Sequence, residues 1–248
     1  MEQQRGTFSH YKHDPDSLSG NLVWTIYEDR EGMLWVGTFS GLDRFDRTTQ
    51  TVTHYPTYNA SESDDLAGGR SFIQFMHEDQ AGDLWVLMVN GRIDKRSRTS
   101  GTFTQYRHDP NDPRSLSHDV VSVTWALQPA FLEDQQGIVW IGTRGGGLNR
   151  YDRTTDSFTH YRYDPDDAFS LSNDTVSVIT ESRDGVLWVG THAGLNRLDR
   201  ETGTFTRFPA DPDATPGLSY PTMTFLFEDR EGAFWIGTKQ SGLHRFDR

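Results

Sequence analysis

One stretch of sequence recurs five times along this chain of 248 residues. The first copy reads EDREGMLWVGTFSGLDRFD and the third reads EDQQGIVWIGTRGGGLNRYD, with one tryptophan in the same place in each copy. A repeat of this period is typical of a unit of four short strands. The five tryptophans, spaced 50, 55, 48 and 47 residues apart, are Trp35, Trp85, Trp140, Trp188 and Trp235.

Local signals place four strands in each unit. In the first unit they predict antiparallel strands at residues 23–29, 33–38, 41–46 and 51–55, separated by polar turns. The first turn ends in glycine, which tolerates the positive φ that a tight hairpin needs. The recurring glycines are Gly32, Gly82, Gly137, Gly185 and Gly232.

Polar linkers such as YKHDPDSLSGN and YRYDPDDAFSLSND join the units. Asp-Pro takes the chain out of regular strand pairing. The leucine of the SLS motif is predicted to pack the linker against its unit. These leucines are Leu18, Leu116 and Leu171, with Leu218 at the same place in GLS.

Four-stranded sheets repeated about an axis form a β-propeller, in which each blade buries both of its faces. We therefore predict an all-β, five-bladed β-propeller of four-stranded antiparallel blades, forming one domain over residues 1–248. Residues 6–12 match the fourth strand of a unit, so they are predicted to join the C-terminal blade and close the ring. The blades are expected at about residues 18–56, 66–107, 116–162, 171–208 and 218–248.

The composition excludes several classes of partner. The formal net charge of −12 and the pI of about 5.1 disfavour binding to nucleic acid or to an anionic membrane surface. Without cysteine, the chain has no disulfide and no thiolate metal site. No apolar run is long enough to predict a membrane-spanning segment.

The sequence contains the pattern SLS-x-(N/D)-x-V, then ED-x-x-G-x-LW-(V/I)-GT-x-x-GL-x-R-(F/Y)-D, then T-x-x-F-T-x-Y. This pattern resembles the two-component regulator propeller repeats, which are found in the sensor regions of bacterial hybrid histidine kinases. The resemblance implies a periplasmic or extracellular propeller that recognises a ligand, often derived from carbohydrate. It also implies a protein partner, or signalling domains that are expected to be absent from this chain.

The residue after the GT pair differs in every unit. Turns at this place share a face of a propeller with the linkers, and ligands commonly bind there. Three consecutive units carry cationic or titratable side chains, which predict a positive cluster suited to a carboxylate or sulfate on a sugar. The alternative is that exposed turns vary because nothing constrains them. The five residues are Phe39, Val89, Arg144, His192 and Lys239.

Aromatic residues supply further candidates for ligand binding. The third unit carries an insertion, VSVTWALQPAFLEDQQG, that is expected to present Trp125, Gln128 and Phe131 near the channel mouth. Trp24 occupies the first strand of the first unit, and first strands line the channel of a propeller. Tryptophan rings stack on the faces of sugars as well as on each other. The alternative is that the insertion fills the channel with apolar bulk.

Recurring charged residues are predicted to be structural. A Glu-Asp pair ends the first strand in four of the five units, which favours turn formation over catalysis by a unique carboxylate pair. The Arg and Asp of GL-x-R-x-D, such as Arg44 and Asp46, are expected to form hydrogen bonds between blades. Acidic linker residues lack the spacing of a calcium loop. We predict no metal site and no cofactor.

These features favour a non-catalytic ligand-recognition or sensor propeller whose ligand is a small molecule or a glycan. One alternative is a polysaccharide lyase or glycosidase-like enzyme, in which His192 with Tyr220 or Arg144 serves proton abstraction. The other is a protein-interaction scaffold, which a channel filled by Trp125 and Phe131 would favour.

Overall fold

The computed structural model describes residues 8–55, 72–122, 129–210, 218 and 222–247, and all regular structure within these ranges is β-strand. The strands form five antiparallel sheets, each with its strands in chain order. Four sheets have four strands, and the last has three within the described residues. The prediction of an all-β fold built from propeller-like blades is confirmed.

The strand bounds follow the predicted turns closely. The first sheet contains β1 (Val23–Glu28), β2 (Leu34–Thr38), β3 (Gly41–Asp46) and β4 (Thr51–Tyr55). The second contains β5 (Ile73–Glu78), β6 (Leu84–Met88), β7 (Ile93–Arg96) and β8 (Phe103–Tyr106). The third contains β9 (Phe131–Glu133), β10 (Val139–Gly142), β11 (Leu148–Asp152) and β12 (Ser157–Tyr161). The fourth contains β13 (Val176–Glu181), β14 (Leu187–Thr191), β15 (Gly194–Leu198) and β16 (Phe205–Pro209). The fifth contains β17 (Met223–Glu228), β18 (Phe234–Thr238) and β19 (Leu243–Phe246).

The chain forms two compact bodies, a division distinct from that into five repeats. The first comprises Met1–Glu78 and Val86–Asn90, and the second comprises Asp79–Trp85 and Gly91–Arg248. The first sheet lies in the first compact body, and the third, fourth and fifth sheets lie in the second.

The Asp of the Glu-Asp pair builds the hairpin turn after the first strand. In the first sheet, the Oδ1 atom of Asp29 accepts hydrogen bonds from the backbone N–H groups of Glu31 and Met33, at 3.0 and 2.9 Å. Its Oδ2 atom accepts from the indole Nε1–H of Trp35 at 2.8 Å. Gly32 closes the turn with a φ of 79°, as predicted for this position. The same bonds recur around Asp79, Asp134 and Asp229.

The core of the second compact body lies between successive sheets. Trp140 packs with Leu187, Val189 and Leu198 of the fourth sheet. Trp188 packs in the same way with residues of the fifth sheet, including Phe234. Burial of a large aromatic side chain is worth roughly 3–5 kcal/mol against alanine, so these tryptophans dominate the interfaces. The SLS leucines Leu18, Leu116 and Leu171 are buried, and Leu218 packs against the last cluster.

The predicted bonds between blades are made by a different arginine. Arg44 contacts Glu31 of its own sheet at 3.3 Å, and Asp46 accepts the N–H of Thr48 in its own turn. The residue after this Asp makes the contact between sheets instead: Arg153 bonds Asp79 at 3.0 Å and Arg200 bonds Asp134 at 2.6 Å. The prediction is wrong because Asp46 is engaged in its turn, whereas an arginine just beyond the strand end reaches the neighbouring sheet.

Lys95, which stands in the second repeat at the position of Arg44, does join two sheets. Its Nζ atom donates to the Tyr151 hydroxyl and, at 2.9 Å, to the carboxylate of Asp156. The hydroxyls of Tyr106 and Tyr151 donate to the same carboxylate oxygen. The ammonium also lies over the rings of Trp85, Tyr106 and Tyr151, so cation–π attraction adds to the ion pair.

The N-terminal segment packs on the first sheet. The ring of Tyr11 meets the ring of Phe45 edge to face at 5.0 Å, and its hydroxyl donates to Gln50. Residues 8–12 belong to no strand in the described part of the chain. Closure of a ring by residues 6–12 therefore stays a prediction.

Candidate functional site

The turn after the second strand has the same backbone anchor in all five units. The N–H of the variable residue donates to a backbone carbonyl at 2.9–3.1 Å, which lies just before the first strand in four repeats and just before the insertion in the third. The threonine of the GT pair holds the rest of the turn; the Thr143 hydroxyl, for example, donates to Gly147 O and accepts from Gly146 N. The variable side chains thus project from equivalent, fixed positions. The anchored pairs are Phe39 with Leu22, Val89 with Phe72, Arg144 with Val120, His192 with Thr175, and Lys239 with Thr222.

One electrostatic group in the second compact body, which we call the tip cluster, consists of Arg144, His192 and Lys239. Arg144 pairs with Thr175 in a β-bridge, and Thr175 also accepts the N–H of His192, so the two residues flank the same position. Partial desolvation of the ring lowers the pKa of His192, and the positive charges of Arg144 and Lys239 lower it further. The imidazole is consequently neutral at neutral pH beside two cations.

All three side chains of the tip cluster are exposed. Two cations and a neutral imidazole with hydrogen-bonding nitrogens can receive an anionic group with hydroxyl neighbours. The three residues carry a local charge opposite to that of the whole chain, whose formal net charge is −12. Binding of an anion would therefore depend on close contact rather than on long-range attraction.

The predicted aromatic residues Trp24 and Phe39 both pack against a third ring, that of Phe72, within the first compact body. Trp24 stacks on Phe72 at 4.1 Å with an angle of 11° between the rings, and Phe39 lies 6.5 Å from Phe72. Trp24 remains 43 % exposed. Phe72 was not among the predicted site residues; its position just before β5, equivalent to that of Leu22 before β1, is the signal that the sequence offers.

The remaining predicted site residues are not part of either group. Phe131 begins β9 and is buried against Trp85 at 5.8 Å, so the expectation that it is presented at a channel mouth is wrong. Its apolar ring is used in the core. Trp125, Gln128 and Tyr220 lie outside the described residues.

The paired carboxylates are occupied by structural hydrogen bonds. The Glu of the pair accepts a backbone N–H from the turn of the preceding sheet, as Glu133 does from Gln80 at 2.7 Å. The Asp holds its own turn and the neighbouring tryptophan, so the two groups are not free for acid and base roles. The other turn contacts of this kind join Glu78 to Arg30, Glu181 to Gln135, and Glu228 to Arg183.

Within the described ranges, no three His, Asp or Glu side chains converge as a metal-binding group. No helix in this part of the chain is long and apolar enough to cross a membrane.

The repeated sheets with their Asp–Trp turns define a repeat protein of the β-propeller class. Two segments of the chain, residues 17–40 and 170–193, match the family model of the two-component regulator propeller. Both segments run from the SLS motif into the turn after the second strand, which includes Phe39 in one repeat and His192 in the other. The predicted resemblance is thus confirmed.

Several solved structures share this fold. The chain is similar to the extracellular domain of a hybrid two-component system from B. thetaiotaomicron, with 25% identity and a TM-score of 0.58 over 96% of this chain and 29% of that chain. A one-component system from the same organism gives 19% identity and a TM-score of 0.57, over 92% of this chain and 30% of that chain. The present chain thus spans about three tenths of the length of these relatives.

Enzymes also appear among the similar structures. Virginiamycin B lyase from Staphylococcus aureus gives 15% identity and a TM-score of 0.52, over 91% of this chain and 69% of that chain. At this identity the likeness shows the fold alone. A comparison with curated proteins gives no significant match.

Proposed function

We propose that this chain is a non-catalytic ligand-recognition propeller of the sensor type, and that the tip cluster binds an acidic carbohydrate. The observation that carries the proposal is the convergence of Arg144, His192 and Lys239 at equivalent variable turns, on a scaffold whose other positions repeat. A guanidinium pairs bidentately with a carboxylate or a sulfate, and an ammonium adds a second positive charge.

The exposed ring of Trp24 is a second recognition element in this proposal. Stacking on Phe72 holds the indole in place, and a held aromatic face suits the apolar face of a sugar. Similarity to extracellular sensor domains supports a periplasmic or extracellular location. It also supports transmission of the bound state to a protein partner or signalling domain.

The test is a titration of the purified protein with glucuronate, galacturonate, sulfate and the neutral sugar glucose, followed by thermal unfolding and calorimetry. A ligand that binds only the folded protein raises its stability by roughly 2.7 kcal/mol at a hundredfold excess over Kd. We expect stabilisation by the acidic sugars, with glucose at least tenfold weaker because it offers no carboxylate to the two cations.

Matched variants locate the site. Arg144→Ala and Lys239→Ala should each weaken binding at least tenfold, whereas Arg150→Ala should leave it unchanged. Arg150 is the control because it is an exposed arginine on β11, so the same charge is removed away from the turn. Equal binding by all three variants, or no binding by the wild type, would contradict the proposal.

The neutral His192 beside two cations also suits a lyase, and this observation keeps the enzymatic alternative open for testing. In that β-elimination, cations compensate the charge on a uronate while a neutral base removes the proton next to the carboxylate, and a double bond forms as the glycosidic C–O bond breaks and its oxygen leaves. Incubation with uronate polymers should give no unsaturated product if the propeller is a binding module. Product that disappears in His192→Ala, with binding retained, would establish the enzyme instead.

A further inference from the structure

His118 lies beside the tip cluster with a defined tautomer. Its Nδ1 atom receives the backbone N–H of Val120 at 3.0 Å. Since a backbone N–H only donates, Nδ1 must carry the lone pair, and the hydrogen of the neutral ring is on Nε2. Nε2–H has no acceptor within the described residues, so this donor is available to a ligand.

The position of His118 is linked to that of Arg144 through one residue. Val120 donates its N–H to the His118 ring and accepts the N–H of Arg144 on its carbonyl, at 2.9 Å. The two side chains therefore stand on either side of a short, hydrogen-bonded segment. Neither position depends on a long flexible loop.

Glycines after Arg144 leave room for the imidazole. A Cβ atom on Gly146 would lie 2.8 Å from the Cβ atom of His118, which is too close for any side chain. A Cβ atom on Gly145 would lie 3.7 Å from both Cδ2 and Nε2 of the ring. The edge of the imidazole that carries the free donor thus faces the residue that follows Arg144.

The turn itself does not require histidine. In the fourth unit the equivalent residue is Asn173, whose side-chain oxygen accepts the N–H of Thr175 at 2.8 Å and makes the same cap. In the first unit the equivalent residue is Gly20, and Ser40 fills the space. Capping therefore explains Nδ1 of His118 but leaves the outward Nε2–H without a structural role.

We infer that His118 completes an anion-binding subsite with Arg144, in which Nε2–H donates to a carboxylate or sulfate oxygen whose charge the guanidinium compensates. The inference deepens the proposed function and rests on it. It adds a directional donor beside the guanidinium, which would favour planar carboxylates held in one orientation.

The experiment compares His118→Asn with the wild type and with Arg144→Ala, using glucuronate and inorganic sulfate as probes. Asparagine keeps the cap, as Asn173 shows, but is too short to replace Nε2–H. We expect the unliganded thermal midpoint of His118→Asn to stay unchanged and its affinity for glucuronate to fall roughly five- to tenfold, the range for one lost hydrogen bond. His118→Gln, which extends an amide donor toward the Nε2 position, should recover part of the affinity.

The outcomes separate the two proposals. If Arg144→Ala loses binding while His118→Asn binds as the wild type does, the role of His118 is overturned and the tip cluster stands. If neither probe binds the wild type, the proposed function fails and the subsite fails with it. Loss of affinity in His118→Asn with an unchanged thermal midpoint supports the subsite, because a purely structural role would move the midpoint.

Discussion

At the scale of single residues, one tryptophan lacks the partner that the others have. The indole N–H groups of Trp35, Trp85, Trp140 and Trp235 each donate to the Asp that starts the turn, at 2.7–2.8 Å. The fourth repeat has Ser182 at this place, whose hydroxyl donates to Asp184 Oδ1 at 2.5 Å and also lies 3.0 Å from Val186 O. Trp188 is 3 % exposed and its Nε1–H has no acceptor in the described structure.

Ser182→Asp should therefore stabilise the protein. The new carboxylate would accept the Trp188 N–H and the turn N–H groups, as Asp134 does in the third sheet. We expect the free energy of unfolding to rise by roughly 1 kcal/mol, since a buried unpaired donor costs about 1–3 kcal/mol. Urea denaturation measures the change. Asp134→Ser is the reverse substitution and should destabilise; a loss of stability in both variants would refute this account of Trp188.

The hydrogen-bond network of Lys95 and Asp156 should make the free energy of unfolding fall at low pH. Burial opposes ionisation of Asp156, but hydrogen bonds from Lys95, Tyr106 and Tyr151 outweigh it and lower its pKa from 3.8 to about 2. A lowered folded pKa stabilises the protein above the unfolded value, and this stability is lost as the pH falls from about 4 to about 2.

Asp156→Asn should remove this contribution. Because the carboxylate is half exposed and partly screened by solvent, the expected loss at pH 7 is about 1 kcal/mol. The difference in unfolding free energy between variant and wild type should shrink as the pH falls from 4 to 2. Denaturation at a series of pH values tests this, with exposed Asp166→Asn as the control that should behave as wild type. A difference independent of pH would argue against the ionised network.

At the scale of elements, arginine at the end of a third strand joins one sheet to the turn of the sheet before it. Arg200 bonds Asp134 at 2.6 Å and Glu181 at 2.9 Å, and its guanidinium lies over the Trp140 ring. Both carboxylates are buried. Removing the cation would leave two buried acids near each other without their shared partner.

Arg200→Met should thus be strongly destabilising. Methionine keeps an apolar stem but no charge, and loss of one partner of a buried ion pair costs about 3–5 kcal/mol. Arg197→Met, on β15 and exposed, should change stability by less than about 0.5 kcal/mol. Chemical denaturation of both variants decides the point, and equal effects would show that position in the turn is not what matters.

The same pair of arginines shows where prediction from sequence stops. Strand bounds and turn glycines could be predicted, because alternation and a positive φ at Gly32 are local properties. The tip cluster could also be proposed, since equivalent turns place Arg144 and His192 alike. Which arginine crosses to the next sheet depends on how two sheets face each other. Pattern alone could not separate Arg197 from Arg200, nor place Phe72 against Trp24.

At the scale of the whole molecule, an aromatic contact that recurs between sheets supports the predicted closure of the ring by residues 6–12. Phe208 of β16 meets Phe246 at 5.1 Å, and Tyr106 of β8 meets Tyr151 at 5.9 Å, in each case edge to face between a fourth strand and the next sheet. Tyr11 makes this contact with Phe45. The N-terminal segment therefore packs on the first sheet as the fourth strand of a preceding sheet would.

Within the described residues, the fifth sheet has no fourth strand beside β19. Leu243 is 63 % exposed, whereas the equivalent Leu195 is 1 % exposed. A pocket lined by Trp188, Phe208 and Phe246 opens on this sheet, and in the third sheet Phe158 occupies the corresponding place against Tyr151. Phe8 aligns with Phe158, so the predicted closure would fill this pocket and cover Leu243.

Because the chain has no cysteine, an engineered pair tests this closure directly. Closure places Ser9 opposite Arg245, as Thr206 stands opposite Arg197 in the fourth sheet. Ser9→Cys with Arg245→Cys should therefore form a disulfide within one chain under mild oxidation, to the extent that Arg197→Cys with Thr206→Cys does. Ser9→Cys with His244→Cys is shifted by one residue to the other face and should cross-link poorly. Mapping of the linked peptides after non-reducing electrophoresis gives the result. A disulfide only between two copies would mean strand exchange, and no disulfide beside an efficient fourth-sheet pair would rule out closure by this segment.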